Sequence, residues 1–498
     1  MSVKYLCVHC DKTFEHDSEK RPRCPECMRV NGLERVGKAQ GVAPKRPPWL
    51  WGAGGATAIA IAGGAYAYWA DAAADTVSGE APLAPLDRAA VLGHLRSRGV
   101  DARQVGEMLV PSDAVESWAQ GAVGSANGPQ AKAAALFEAI RARASRGAFE
   151  PWSMGVPRET PITGSSQVVE WLSEDGARHH LYPLEVASTM VAGLRALDVP
   201  AMVAEAIRFE GERTPPDPSG QLGYYLVAVY DGDPGVSDPT YYDPYVGREV
   251  QPQEARVLTD LEAIGAAMNI RALYLLSRES DPERAIEASS SALRLDASSP
   301  PSRAVRGAIL LTAGRTDEGL EELVAAQQLR ADAPRRNLLA GVYLAQGDFD
   351  SASREVTAAL EEYPEFAPGR ATLAAIHLSR GEADLARNEL EAAERIDPHL
   401  HMLAQLWAGY FATTGDLDRA VERAALTVRA NGDIQTRLMA ARIYRQASRY
   451  DMMRREARAV LANIPASRQE EMRTIIQRML GPPALEPDED EEVEPGDD

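Results

Sequence analysis

The residues best equipped for chemistry are four cysteines at the start of the chain: Cys7, Cys10, Cys24 and Cys27. They read C-x2-C-x13-C-x2-C, two short knuckles whose thiolates can close a tetrahedral shell around one metal ion. This spacing predicts one structural Zn²⁺ as the cofactor, with iron or a redox dithiol as the alternatives. His9 and His16 fall within the motif, but four sulfurs already complete the shell. No cysteine follows Cys27, so neither a disulfide nor a cysteine nucleophile can exist in the rest of the chain.

Those ligands must be held by residues 1–36, which have too little apolar surface to fold alone, so metal binding supplies folding free energy. The segment resembles the small zinc ribbons at the start of many bacterial membrane proteins, which implies a binding or structural role. A basic Pro/Gly linker, 37–48, leads into WLWGAGGATAIAIAGGAYAYW, residues 49–69, which carry no charge. Twenty-one helical residues span about 31 Å, enough to cross a hydrocarbon core. Trp49 and Trp51 at one end, and Tyr66, Tyr68 and Trp69 at the other, sit where interfacial aromatic belts belong. Lys45 and Arg46 precede the span and Asp71 and Asp75 follow it, which places the ribbon in the cytoplasm and the rest outside. A buried soluble helix and a cleavable signal peptide are the alternatives; the 48 residues before the span are too many for a signal's leading region. The expectation is a single-pass anchor in a bacterial inner membrane with periplasmic carboxy-terminal domains. Gly54, Ala58 and Ala62 are spaced for close helix pairing, so a homodimer through the anchor is open.

The formal charge of −20 excludes nucleic-acid binding by charge for the chain as a whole. After a small-residue spacer, 70–85, helical periodicity dominates from Leu86 to Gly147. LGYYLVAVYDGDPG (222–235) then reads as a strand running into a turn, and PTYYDPYVG (239–247) as a second strand, an α+β arrangement.

From 266 to 480 the texture becomes alanine-rich helix with a period of 33 or 34 residues. Ser280, Gly314, Gly347, Gly381, Gly415 and Ser448 recur at the turns. Ala285, Gly319, Ala352, Ala386, Ala420 and Met453 follow five residues after each. Gly307, Ala340, Ala374, Ala408 and Ala441 hold the matching small position of the preceding helices, and His377 takes an aromatic position beside Tyr343, Phe411 and Tyr444. This pattern resembles the tetratricopeptide repeat, antiparallel helix pairs that stack into a superhelix with a concave, protein- or peptide-binding groove. The resemblance implies Asn337, Leu344, Gln405, Ala412, Leu438, Arg442 and Arg445 as groove-facing, partner-binding residues. Residues 481–498 end in nine acids and read as a disordered acidic tail.

Within 86–260, the stretch YPLEVASTMVAGLRALDVPAM (182–202) with GYYLVAVY (223–230) and YYDPYVG (241–247) resembles the papain-like transglutaminase superfamily. In that family a helix opens on the catalytic Cys, one strand carries the His and another ends in the Asp. The resemblance puts Pro183 at the nucleophile position, Tyr224 at the histidine position and Asp243 at the acid, with Asp238 as the competing assignment. Proline offers no nucleophilic atom, and a phenol with a pKa near 10 is a poor base near neutrality. Thr189, two turns into the same helix, would face elsewhere, and His179 and His180 precede the helix and match no family position. The expectation is a catalytically degenerate domain, not an enzyme.

The sequence therefore predicts a multidomain chain: a small zinc ribbon, one transmembrane helix, an α+β papain/transglutaminase-like domain and an all-α tetratricopeptide superhelix. Its expected role is a membrane-anchored protein-interaction scaffold or assembly factor. The alternatives are an amide-acting hydrolase or transferase with an unconventional nucleophile, and a transmembrane sensor signalling through the zinc ribbon.

Overall fold

The computed structural model describes residues 3–7, 12–16, 33–35 and 84–485, apart from 106, 145–148, 152–160, 174–178, 235, 278–280, 401, 431, 433 and 465–468. Residues 1–48 and 49–498 are two separate units.

In the first unit, β1 (Val3–Cys7) pairs antiparallel with both β2 (Lys12–His16) and β3 (Leu33–Arg35), giving the order β2-β1-β3. Cys7 closes β1, opposite Lys12 on one side and Leu33 on the other. Cys10, Cys24 and Cys27 lie outside the described residues, as does the expected span at 49–69. Among the described residues no helix is long and apolar enough to cross a membrane.

The second unit opens with helices α1 (Arg88–Ser97), α2 (Asp113–Val123) and α3 (Pro129–Ala144). Strand β4 (Phe149–Pro151) pairs in parallel with β5 (His179–Leu181), and α4 (Ser165–Ser173) lies between them in sequence. Helix α5 (Pro183–Ala196) is enclosed: every residue from Leu184 to Leu194 is buried, packed by α2, α3 and α4 on one side and by the sheet on the other. It carries Leu184, Val186, Met190, Val191 and Leu194 into the core, each worth roughly 1.5–3 kcal/mol on burial.

Strands β6 (Ala201–Phe209), β7 (Tyr225–Val229), β8 (Thr240–Asp243), β9 (Arg248–Val250) and β10 (Pro252–Val257) form one antiparallel sheet of order β10-β6-β7-β8-β9. Side chains alternate faces as the pleat requires. Ala201, Val203, Tyr225, Val227 and Val229 meet the core around α5, whereas Met202, Ala204, Leu226, Ala228 and Tyr230 form a second cluster behind. Two expected strands are present in shortened form. The sequence reading missed β6, β9 and β10.

Helix α6 (Asp260–Ser277) begins ahead of the change in texture at 266 and belongs to both regions. Its buried Asp260 accepts from Arg195 at 2.7 and 3.0 Å and from the Leu86 main-chain N–H at 2.9 Å. A single hydrophobic cluster then runs from Val91 to Leu310, so the α+β region and the first helices of the array share one core.

The array continues as helix pairs. With α6 stands α7 (Pro282–Leu295), followed by α8 (Pro300–Thr312) with α9 (Thr316–Leu329) and α10 (Ala333–Gln346) with α11 (Phe349–Glu362). Then come α12 (Ala367–Arg380) with α13 (Ala383–Ile396), α14 (Met402–Thr414) with α15 (Leu417–Ala430), and α16 (Ile434–Gln446) with α17 (Tyr450–Ala462). Helix α18 (Gln469–Leu480) packs on the last pair. The turn positions at 314, 347, 381 and 415 have φ between 77° and 86°, where glycine carries no steric cost; Ser448 holds the same place at 58°. Within a pair the helices touch through small residues. A Cβ on Gly319 would stand 2.4 Å from Leu311 Cγ, and one on Gly307 would stand 2.9 Å from the Gly319 carbonyl.

Residues 482–485, assigned from composition to a disordered tail, instead form a 3₁₀ turn against α17 and α18, with Ala484 fully buried. Residues 486–498 lie outside the described residues.

Candidate functional site

Pro183 is the first residue of α5, where a missing N–H costs nothing because the first-turn donors have no intrahelical partner. The turn is anchored by Glu185, whose buried carboxylate accepts from the main-chain N–H of Tyr182 at 2.8 Å and of Thr163 at 2.7 Å. Thr189 is fully buried and its hydroxyl donates to the Glu185 carbonyl at 2.8 Å, so it is turned into its own helix. His179 stacks on Trp171 with ring centroids 4.1 Å apart and planes 5° from parallel. None of these side chains is placed as a replacement nucleophile.

Tyr224 and Asp243 are brought together. The phenol donates to Asp243 Oδ2 at 2.9 Å, while Oδ1 accepts from the Val246 N–H at 3.1 Å. Arg248 Nε stands 3.5 Å from the same Oδ2. Asp243 ends β8 and is completely buried, whereas Asp238, the competing assignment, is exposed in the preceding loop. Phe209 meets the Tyr224 ring edge to face at 5.9 Å, and the Arg248 guanidinium lies over Phe209 at 5.0 Å. Tyr245, within electrostatic reach of both Glu185 and Asp243, links this end of the sheet to the start of α5.

Electrostatics make the pair a fixed donor and acceptor. Burial, then the Asp243 charge and hydrogen bond, push the Tyr224 phenol far above its ordinary value, so it stays protonated at any physiological pH. Burial pushes Asp243 up, opposed by its hydrogen bonds from Val246 and Tyr224 and by Arg248. Tyr245 is pushed up to about 12, by burial first and then by Glu185 and Asp243. A phenol in this state donates and cannot accept a proton, which removes the general-base role that a histidine would fill.

The α+β region is latched to the array by buried ions. Glu205 on β6 accepts from Arg330 at 2.5 Å and lies 3.6 Å from Arg256, which also bonds Asp296 at 2.9 Å and Glu262 at 3.0 Å. Burial opposes ionisation of Glu205, but Arg330, Arg335 and Arg256 together hold its carboxyl below the usual range. Arg208 to Glu362 and Arg213 to Glu365, both at 2.6 Å, extend the seam. A narrow cleft beside Tyr224, lined by Glu205, Asp217, Arg330, Arg335 and Tyr363, lies along it.

Of the expected groove residues, Leu344, Gln405, Ala412 and Leu438 are less than a tenth exposed. The first helices of neighbouring pairs pack against one another, which closes much of the face assigned to a partner. Asn337 and Arg442 are half-buried and Arg445 is exposed, with Arg445 donating to the Met479 carbonyl at 3.0 Å. Gly341 lies on the same row of α10 as Asn337 and Leu344, and a Cβ there would meet nothing within 4 Å. His377, expected as a core side chain, pairs with Glu382 at 2.6 Å.

One regular feature was missed from sequence. Arg303 with Glu322, Arg336 with Glu355, Arg370 with Glu389 and Arg437 with Glu456 form the same bridge between the helices of a pair, always nineteen residues apart. The α6–α7 pair has Asn269 and Ala288 at these positions, and the α14–α15 pair breaks the rule with Ala404 and Arg423. There Trp407, Tyr410 and Phe411 pack ring to ring instead, at 5.3–5.5 Å. A search for charges at the repeat period would have found the series.

Comparison with known proteins agrees with the array. The tetratricopeptide repeat family model matches residues 343–406. A thermophilic tetratricopeptide protein of Thermus thermophilus aligns at 18% identity over 36% of this chain and 99% of its own, with a TM-score of 0.33. PilW, a type IV pilus biogenesis factor, aligns at 17% identity over 44% of this chain and 100% of its own, with a TM-score of 0.34. Pseudomonas aeruginosa PilF gives 18%, 44% and 99%, with a TM-score of 0.32. No curated protein matches the sequence significantly. The matched residues, from the end of α10 to the start of α14, are tetratricopeptide repeat.

Proposed function

We propose that the chain is a membrane-anchored interaction scaffold, in which a non-catalytic transglutaminase-like domain and the repeat array together hold protein partners. The observation that carries this reading is the array itself: six helix pairs, the first of which share one core with the α+β region, with open space beside Gly341. The Tyr224–Asp243 pair beside a proline-capped helix supports the absence of catalysis, because a proline has no nucleophilic atom and the protonated phenol at the histidine position cannot serve as a base. Anchoring rests on the uncharged stretch 49–69 and its aromatic ends, with the ribbon on the cytoplasmic side and the array outside. Zinc at Cys7, Cys10, Cys24 and Cys27 would supply folding energy to the ribbon, and the place of Cys7 at the end of a paired strand suits a metal knuckle.

The test is affinity capture of the full chain from its native membrane, comparing the natural sequence with Gly341→Glu. The substituted side chain enters open space, so the fold is kept and the row is blocked. Specific partners should be recovered with the first chain and lost with the second. Equal recovery by both would reject the groove as the binding surface.

A further inference from the structure

The helix pairs change in charge along the array. Those built on α6, α8, α10 and α12 each carry more acids than bases, and the α14–α15 pair is balanced. The last pair, residues 434–462, carries seven arginines against two acids, Asp451 and Glu456. Both acids are already engaged: Glu456 accepts from Arg437 and, at 3.1 Å, from Arg455, and Asp451 accepts from Arg454. Arg442 and Arg445 share one face of α16 with Leu438. Among the described residues Arg445 reaches only a main-chain carbonyl. Arg442 has no carboxylate or other hydrogen-bonding partner among the described residues, and burial alone pushes its guanidinium pKa down. A half-buried cation with no counter-charge is costly to keep. An anion laid on this face would relieve that cost.

The chain supplies one. The 3₁₀ turn at Pro482–Leu485 packs on α17 and α18, and α18 packs on α16, so the last described residue is held against the arginine-rich pair. The next thirteen residues, 486–498, carry nine acids and no base. Extended, they reach roughly 43–47 Å at about 3.3–3.6 Å per residue, more than twice the roughly 20 Å length of α16 at about 1.5 Å per residue. Tethering places these acids at an effective concentration on the order of millimolar, ahead of any free anion.

We propose that the acidic segment 486–498 folds back onto the arginine face of α16 and occupies the last stretch of the repeat row, around Arg442 and Arg445. A partner that uses this end of the array must displace the chain's own terminus, which raises the threshold for binding and selects ligands more acidic or better fitted than the tail. The contact concerns the last repeat alone and holds or fails whether or not Gly341 faces a partner.

The experiment uses a fluorescein-labelled synthetic peptide of residues 486–498, followed by fluorescence anisotropy at low salt. It is titrated with the full chain, with the chain ending at Leu485, and with a full chain carrying Asp488→Asn, Glu489→Gln, Asp490→Asn and Glu491→Gln together. The shortened and neutralised chains should bind the peptide at least about tenfold more tightly than the native chain, whose own tail competes. Arg442→Ala in the shortened chain should weaken binding about tenfold, as expected for loss of one charge-assisted contact. The neutralised tail leaves every repeat residue intact, so its result does not depend on the folding of the arginine variant. Equal affinity for native and shortened chains, no binding to any of them, or indifference to Arg442 would overturn the proposal. So would equal binding of native and shortened chains to phosphatidylglycerol vesicles through the same arginines, since the face would then be open to lipid with the tail in place.

Discussion

Replacing Tyr224 by Phe removes one atom and tests what the hydroxyl does. In the native chain it donates at 2.9 Å to a carboxylate that has no solvent exposure, and the other donors to Asp243 are the Val246 N–H at 3.1 Å and Arg248 at 3.5 Å. A hydrogen bond to a charged group contributes about 1.5–3 kcal/mol, equivalent to roughly 10- to 150-fold in a local opening equilibrium. The effect has a sign with pH. Asp243 has a folded pKa above that of the unfolded chain, so the folded state binds the extra proton. Its contribution therefore lowers stability as pH rises from the unfolded value through the folded one, and is constant above that. Without the phenol the folded pKa climbs further, so the gap between the two chains should be small below about pH 4 and full at neutrality. Hydrogen exchange of the β7 and β8 amides, corrected for intrinsic rates, reads this local free energy directly and avoids assuming two-state unfolding of a multidomain chain. Unchanged protection at neutral pH, or an equal gap at both pH values, would show that the phenol is not bonded to an ionised Asp243.

Three further outcomes are expected. Arg330→Met leaves Glu205 buried with Arg256 at 3.6 Å as its nearest remaining counter-charge, and should cost about 3–5 kcal/mol, seen as faster proteolysis between β6 and α10. Gly319→Ala should destabilise by about 1–3 kcal/mol through overlap with Leu311, whereas Gly341→Ala, with open space around it, should stabilise by about 0.4–1 kcal/mol; thermal melts of the two side by side check the contrast. Elemental analysis should find one zinc per chain, lost in Cys24→Ser, with the ribbon unfolding as the metal leaves.

The helix pairs were legible because each repeats its own punctuation: Gly314, Gly347, Gly381 and Gly415 sit where a left-handed turn is needed, and Gly307, Ala340 and Ala374 where helices touch. Period, not propensity, made them visible. The proline at the start of α5 could be read from its suitability for a first helical turn, and the nearness of Tyr224 to Asp243 was what the resemblance carried by three short landmarks implied. What could not be read lay between distant parts of the chain. Nothing local in RALDVPA says that Arg195 will grip Asp260, sixty-five residues on, or that Glu205 will meet Arg330 across the seam. The closed face at Leu344, Gln405, Ala412 and Leu438 is of the same kind, because burial there depends on how tightly successive pairs wind. Strands β9 and β10 escaped because REV and PQEARV are short and polar, and are held by pairing with β8 and β6 rather than by their own pattern.

The proposal that the α+β region holds rather than reacts is tested most directly by turnover. The full chain, incubated with a glutamine-containing peptide and a primary amine, should release no ammonia and form no covalent adduct above a protein-free control. Ammonia release that persists through purification and is abolished by Asp243→Asn would contradict the account.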